Sequence, residues 1–240
     1  MCPICDARPA SRRGFLTLAA AGVATGLLAA PTAALAATHG APTSLTADQA
    51  LAKLKAGNDK YTKAPDVCAN NLIRQRDEVA AHQAPWATIL SCADSRVPPE
   101  LLFGGAGVGE LFVARNAGNM VDTATMGSIE YGSAVLGVPL IVVLGHERCG
   151  AVSAAVDMVE KQAKFPGSIG PMVSAIVPAV QAVKGKPGDR VENAIRESAS
   201  RTASQIATSS PLIAELIKQG KVKVVAARYD LDDGKVEFFA

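Results

Sequence analysis

The chain has 240 residues, of which 49% are hydrophobic and 4% are aromatic, and its formal net charge at pH 7 is +2. This length and composition predict one globular domain with a substantial buried core, preceded by a leader. A net charge so close to zero argues against a nucleic-acid footprint and against binding to anionic membrane surfaces, so neither partner is expected.

The first 36 residues predict a twin-arginine signal peptide that is removed on export. Arg12 and Arg13 precede an alanine-rich apolar run at 16–30, and Ala-Leu-Ala at 34–36 supplies a small-x-small cleavage site. The run is short for a membrane span of about 20 residues, so no stable membrane anchor is expected, although an uncleaved anchor stays open. The predicted location is periplasmic or otherwise exported.

The mature chain is predicted to begin with a flexible stretch at 37–44, followed by a single domain at 45–240. A first helix is expected to begin near Thr46, whose hydroxyl can cap the free N–H groups of the first turn, and to end at Pro65. A second helix is expected at about 70–82.

Apolar runs rich in β-branched residues at 87–91 and 139–145 are typical of strands buried on both faces of a parallel sheet. Further strands are predicted at 110–115 and 221–228, and an Asp-Asp-Gly turn leads into an antiparallel edge strand at 235–239. Helices are predicted at 98–104, 123–135, 151–156, 172–183, 191–209 and 211–219. The alternation predicts an α/β fold with a central parallel β-sheet, an added antiparallel edge strand and helices on both faces.

Two short motifs each follow a predicted buried strand: Cys-Ala-Asp-Ser-Arg at 92–96 and, 54 residues after its cysteine, His-Glu-Arg-Cys at 146–149. Open α/β sheets bind ligands beyond the carboxyl ends of their strands, so Cys92, His146 and Cys149 are expected at one edge. Two thiolates and a neutral imidazole suit Zn²⁺, and three protein ligands leave a fourth position for water. The sequence therefore predicts a catalytic site with one zinc ion per subunit.

A Cys92–Cys149 disulfide is the alternative in an oxidising compartment. The twin-arginine route exports folded proteins, so zinc could occupy both thiolates before export. Asp94 and Arg96 alternate in the turn after Cys92, and both are expected to face the metal. A carboxylate beside a guanidinium keeps a depressed pKa, yet Asp94 could also become the fourth zinc ligand, and both states stay open. The helix expected to open at Gly150 directs backbone N–H groups to the same edge, where they could bind an oxyanion.

Over about residues 45–240 the chain resembles the β-class carbonic anhydrases. The most specific shared segments are 92–98, 109–119, 146–151 and the closing hairpin at 229–234. The resemblance implies that Cys92, His146 and Cys149 bind zinc, and that Asp94 and Arg96 form a catalytic dyad that orients a zinc-bound hydroxide. The implied activity is that of a carbonate dehydratase, a zinc lyase that reversibly hydrates carbon dioxide to bicarbonate and a proton.

The resemblance also implies a substrate pocket. Gln83 and the Gly150 N–H would hold a substrate oxygen, and Phe112 and Ala117 would form a small apolar wall. In this family the pocket is formed at a dimer interface, so Gln83, Phe112 and Tyr131 are candidates to serve the zinc site of a neighbouring subunit.

The family divides into members that stay open and members with an inhibitory bicarbonate site. Ile89 occupies the position where the second group has tryptophan, and Gln83 matches a glutamine of the open group. Arg115 and Tyr131 match residues of the bicarbonate site that also occur in the open group. The resemblance therefore favours the open form.

The family fold implies that N-terminal helices, here within 45–83, pack on a partner subunit in a homodimer or a dimer of dimers. Two other functions remain open. A related zinc hydrolase could act on carbonyl sulfide or carbon disulfide through the same hydroxide. A non-catalytic structural zinc protein would instead have four protein ligands and no exchangeable water, which the Asp94–Arg96 dyad argues against.

Overall fold

The computed structural model describes residues 41–64, 76 and 78–239. The predicted signal peptide, Cys68 and most of the predicted second helix lie outside the described residues. The chain divides into two units, 1–31 and 32–240, and all described residues belong to the second. In the part of the chain that is described, no helix is both long enough and apolar enough to cross a membrane.

A five-stranded sheet with the order β2-β1-β3-β4-β5 forms the centre of the fold. Its strands are β1 (Ala87–Cys92), β2 (Leu111–Asn116), β3 (Leu140–His146), β4 (Lys223–Tyr229) and β5 (Val236–Phe239). The first four strands pair in parallel, and β5 pairs antiparallel with β4. Every residue of β1 and β3 is buried, as expected for strands covered on both faces. The predicted mixed sheet is confirmed.

Helices cover both faces of this sheet. They are α1 (Ala47–Lys63), α2 (Pro99–Leu102), α3 (Thr123–Ala134), α4 (Gly150–Lys161), α5 (Ile169–Ser174), α6 (Val177–Ala182), α7 (Arg190–Ser209) and α8 (Pro211–Lys218). Because alternate strand residues point to opposite faces, Ile89 packs in a cluster with Leu54 of α1, whereas Leu90 packs in another with Ile206 of α7.

The first helix packs on the core of its own chain. Thr46 and Gln49 form a reciprocal capping box at its start, as the threonine cap predicted. Leu54 is fully buried against the sheet. The buried Asn58 amide donates to the Leu102 and Gly234 carbonyls and accepts from the Val236 N–H, so it ties α1 to the final hairpin. This face of α1 therefore packs on its own chain, and contact of the helix with a partner subunit stays a prediction.

The close approach of α1 to the segment after α2 depends on Gly57. A Cβ atom added there would lie 2.1 Å from the Phe103 carbonyl oxygen. We expect Gly57→Ala to lower the free energy of unfolding by about 2 kcal/mol, since this overpacking outweighs the preference of helices for alanine. Denaturant unfolding followed by circular dichroism measures the change.

Gly127 in α3 provides the matched control, because no heavy atom of the described residues lies within 4 Å of a Cβ added there. Gly127→Ala is expected to raise the free energy of unfolding by about 0.5–1 kcal/mol. A Gly57→Ala protein as stable as the wild type would contradict the described docking of α1.

Candidate metal centre

Three side chains with metal-binding atoms meet at the carboxyl edge of the sheet, as the sequence predicted. Cys92 ends β1, His146 ends β3, and Cys149 directly precedes α4. Their ligand atoms all lie within 4.8 Å of one another, and all three residues are buried. In the parallel register Cys92 lies beside Asn116 of β2, and His146 lies beside Tyr229 of β4. The topology of the sheet therefore brings together residues that are far apart in sequence.

The two sulfur atoms are spaced for a metal and not for a disulfide. The Cys92 and Cys149 Sγ atoms are 4.0 Å apart, and both cysteines are free. A disulfide would need about 2.05 Å. Two thiolates at about 2.3 Å from a tetrahedral zinc ion would lie about 3.8 Å apart. The sulfur spacing fits zinc, and the alternative of a Cys92–Cys149 disulfide is not found in this structure.

The imidazole of His146 is oriented for metal binding. Its Nδ1 lies 2.9 Å from the Glu147 carbonyl oxygen, which accepts the hydrogen bond when Nδ1 is protonated. Its buried Nε2 has no hydrogen-bond partner among the described residues. Metal-binding histidines commonly donate one ring N–H to a carbonyl and use the other nitrogen as the ligand. A buried, unpartnered ring nitrogen is otherwise costly, so the donor set fits a zinc ion.

Hydrogen bonds around the two sulfurs make one thiolate easy to form. The Cys92 and Cys149 sulfurs lie 4.0 Å apart, so one thiol can donate to the other, and the Gly118 N–H donates to the Cys92 Sγ at 3.4 Å. Led by the contact with Cys149, these bonds lower the pKa of Cys92 despite burial. The same sulfur contact raises the pKa of Cys149, because its proton is held between the two sulfurs. A metal that binds both sulfurs must displace the proton that lies between them.

The start of α4 supports the second thiolate. Contact with Cys92 and burial raise the pKa of Cys149, and the backbone N–H groups of Ala151 and Val152 at the start of α4 act against both. The prediction that the first turn of this helix binds an oxyanion stays a prediction. Gly150 itself is exposed, and its N–H stays the candidate donor to a substrate oxygen.

Asp94 pairs with Arg96 in this structure. The Arg96 Nε donates to Asp94 Oδ1 at 2.9 Å, and its Nη2 donates to Oδ2 at 2.7 Å. These bonds hold the pKa of the Asp94 carboxyl well below its usual range. The nearer Asp94 oxygen lies 3.8 Å from His146 Nε2, so the carboxylate stays beside the metal site while it is bound to the guanidinium. Of the two states left open by the sequence, the structure has the paired one.

Arg115 has a role that sequence reasoning missed. Its Nε donates to the Cys92 carbonyl at 3.0 Å, and its Nη2 donates to the Asp94 carbonyl at 2.7 Å. These bonds fix the turn that carries both the first ligand and the dyad. The register places Arg115 beside Ser91, so correct pairing of β1 with β2 is the signal that could have revealed this contact.

The predicted pocket residues lie at different distances from the metal-binding atoms. Ala117 lies in the loop whose Gly118 contacts the Cys92 sulfur. Phe112 stacks on Tyr131, with ring centroids 6.2 Å apart. Phe112 lies beside Thr88 in the register, four residues before Cys92. At about 3.3 Å per residue, about 13 Å of strand separates Phe112 from its own chain's site.

Gln83 is half-buried in the segment before β1. The roles of Gln83, Phe112 and Tyr131 toward a substrate stay predictions.

A family model described as carbonic anhydrase matches residues 87–236. Carbonic anhydrase 2 of Mycobacterium tuberculosis is 37% identical over 182 residues, which cover 76% of this chain and 87% of that protein. A carbonic anhydrase of Mycolicibacterium smegmatis is 35% identical over 184 residues, which cover 77% and 89%.

Solved structures agree with these relatives. A Coccomyxa β-carbonic anhydrase in complex with acetazolamide superimposes with a TM-score of 0.60 at 27% identity, and the match covers 75% of this chain and 82% of that one. One of two tetrameric β-carbonic anhydrases from Sordaria macrospora gives a TM-score of 0.60 at 25% identity, over 68% and 85% of the two chains.

Proposed function

This chain belongs to the β-class carbonic anhydrases, which are zinc enzymes that hydrate carbon dioxide, and we propose that Cys92, His146 and Cys149 hold its zinc ion. The observation that carries the assignment is the buried, unpartnered Nε2 of His146 within 4.8 Å of two free thiols. When bound, zinc supplies a Lewis acid that brings the pKa of its water to about 7 in the three-histidine carbonic anhydrases. Two thiolates donate more charge, so we expect turnover to rise toward alkaline pH.

Asp94 is proposed to orient the attacking water. The bidentate pair with Arg96 keeps its carboxylate ionised, so it remains a hydrogen-bond acceptor at the edge of the metal site. An acceptor there holds the attacking oxygen with a lone pair directed at the carbon of carbon dioxide. The two Arg115 bonds to the 92–94 backbone keep this acceptor in place.

We propose that the substrate pocket is completed by a second copy of the chain. Gly150 directly follows Cys149, and Ala117 precedes Gly118, whose N–H donates to the Cys92 sulfur. Phe112 lies too far along β2 to line the site of its own chain. This supports the proposal that Phe112, together with Gln83 and Tyr131, lines the site of a neighbouring subunit. The assembly would then be a homodimer or a dimer of dimers, and the Sordaria macrospora relative is tetrameric.

The site is proposed to be the open form without bicarbonate inhibition. Asp94 is bound to Arg96, and Ile89 is fully buried in the core at the position where the inhibited group has tryptophan. We expect the hydration rate, measured by stopped flow between about pH 6.5 and about pH 9, to show no cooperative inhibition by added bicarbonate. No turnover at any pH would contradict the function, whereas steep inhibition below about pH 8 would contradict the open form alone.

Export through the twin-arginine pathway to the periplasm is also proposed. The leader supports it, and export of a folded chain would protect two buried thiols that zinc already occupies. Cell fractionation tests this proposal, and a full-length, zinc-loaded chain confined to the cytoplasm would contradict it.

A further inference from the structure

The loop between His146 and Cys149 contains a backbone conformation that an arginine rarely adopts. Arg148 has a φ angle of +52°, in the left-handed region that favours glycine. The residue directly precedes Cys149. Its backbone conformation therefore decides where this sulfur lies relative to the imidazole.

A bidentate ion pair to the β4–β5 hairpin holds the Arg148 side chain. Its Nη2 lies 2.6 Å from Asp232 Oδ1, and its Nη1 lies 3.1 Å from Asp232 Oδ2. The Nη2 is also 3.3 Å from Glu147 Oε2. Exposed ion pairs usually contribute little, but the fork-to-carboxylate geometry is the exception, because two parallel bonds fix direction as well as distance.

Glu147 connects the same hairpin to the imidazole. Its N–H donates to the Tyr229 carbonyl at 2.8 Å, and its Oε2 accepts from the Leu231 N–H at 3.1 Å. Its own carbonyl lies 2.9 Å from the Nδ1 of His146. The orientation of the imidazole therefore depends on a peptide group that is held from the hairpin.

The hairpin turn is itself built around one carboxylate. Asp230 Oδ1 accepts from the N–H groups of Asp232 at 2.9 Å and Asp233 at 3.2 Å, and Oδ2 accepts from Arg228 at 2.8 Å. Led by the bond from Arg228, these contacts lower the pKa of Asp230 to about 2, so it stays ionised. The turn thus presents Asp232 in a fixed place.

We propose that Glu147 and Asp232 are positioning residues for zinc, through which the β4–β5 hairpin fixes His146 and Cys149 relative to each other. Glu147 acts on the imidazole through its carbonyl, and Asp232 acts on the thiolate by holding Arg148 in its left-handed conformation. The inference rests on the zinc ligands of the proposed function. It adds that the lifetime of the bound metal is set by residues that do not touch it.

Three variants test the contribution of the ion pair and of the backbone separately. Asp232→Ala and Arg148→Ala both remove the ion pair. In each of these variants, position 148 still carries a residue with a Cβ atom, which disfavours positive φ. Arg148→Gly removes the same pair but leaves a residue that adopts positive φ freely. We expect the first two to transfer zinc to a chromogenic chelator about tenfold faster than the wild type, a typical loss for contacts that support a metal ligand. Arg148→Gly is expected to stay within about threefold of the wild type.

Arg201→Ala is the control, because it removes a comparable exposed arginine pair, with Glu197 in α7, away from the metal-binding loop. It should leave zinc release unchanged. Visible spectra of the cobalt-substituted proteins report the ligand geometry independently of turnover, and should change in Asp232→Ala but not in Arg201→Ala. Thermal unfolding of the metal-free proteins distinguishes a local effect from general destabilisation.

Wild-type rates of zinc release in both Asp232→Ala and Arg148→Ala would overturn the inference while the proposed function stands. Equal release from Arg148→Ala and Arg148→Gly would overturn the role given to the Arg148 backbone. A wild-type chain that retains no zinc would overturn the proposed function, and this inference with it.

Discussion

Replacement of Asp94 by asparagine is expected to lower the rate of carbon dioxide hydration about 100-fold while the protein keeps one zinc ion per subunit. The amide keeps the size of the carboxylate but loses its charge, so the bidentate pair with Arg96 is broken. Its nitrogen would also present a donor where the attacking water needs an acceptor. Stopped-flow hydration and zinc analysis of the same sample measure the two effects.

Asp48→Asn is the matched control, since Asp48 on α1 forms an exposed ion pair with Lys223 at the start of β4, away from the metal site. This variant should hydrate carbon dioxide at the wild-type rate. Turnover of Asp94→Asn within about twofold of the wild type would show that Asp94 does not orient the attacking water.

Replacement of Cys149 by serine is expected to abolish stoichiometric zinc binding and to reduce hydration by at least about 1000-fold. A serine hydroxyl does not ionise near neutral pH, so position 149 would offer the metal a neutral oxygen instead of a thiolate. Zinc content by elemental analysis after dialysis measures the binding, and stopped flow measures the activity.

Cys68→Ser provides the control for cysteine loss as such. The sequence places Cys68 in a polar stretch without a partner typical of metal sites, so this variant should keep its zinc ion and its activity. Tight, stoichiometric zinc in Cys149→Ser would contradict the ligand assignment.

The strands and the three metal-binding residues could be predicted from the sequence because they depend on local patterns and one topological rule. Apolar runs identify β1 and β3, and the residue after such a run lies at the carboxyl edge of the sheet. Cys92 and His146 therefore had to converge once both strands were parallel. The paired state of Asp94 could not be predicted, because the sequence offers its carboxylate two partners, the Arg96 guanidinium and the metal, and does not choose between them.

One local feature and two features set by tertiary contact were missed. One helix was predicted at 172–183, but the chain forms α5 and α6 with a break near Ile176, because Pro178 has no N–H to continue the hydrogen-bond ladder. The docking of α1 depends on the missing side chain of Gly57. A glycine adds nothing to a hydrophobic pattern, so the sequence does not reveal this contact. The left-handed conformation of Arg148 is invisible in sequence because it is held by a partner 84 residues away.

Titration of zinc into the metal-free protein, with the hydration rate measured at each addition, shows whether a zinc ion held by Cys92, His146 and Cys149 catalyses the hydration of carbon dioxide. The rate is expected to rise in proportion to added zinc, to reach a plateau at one ion per subunit, and to increase from about pH 6.5 to about pH 9. Stoichiometric zinc binding without carbon dioxide hydration at any pH in this range would contradict this expectation.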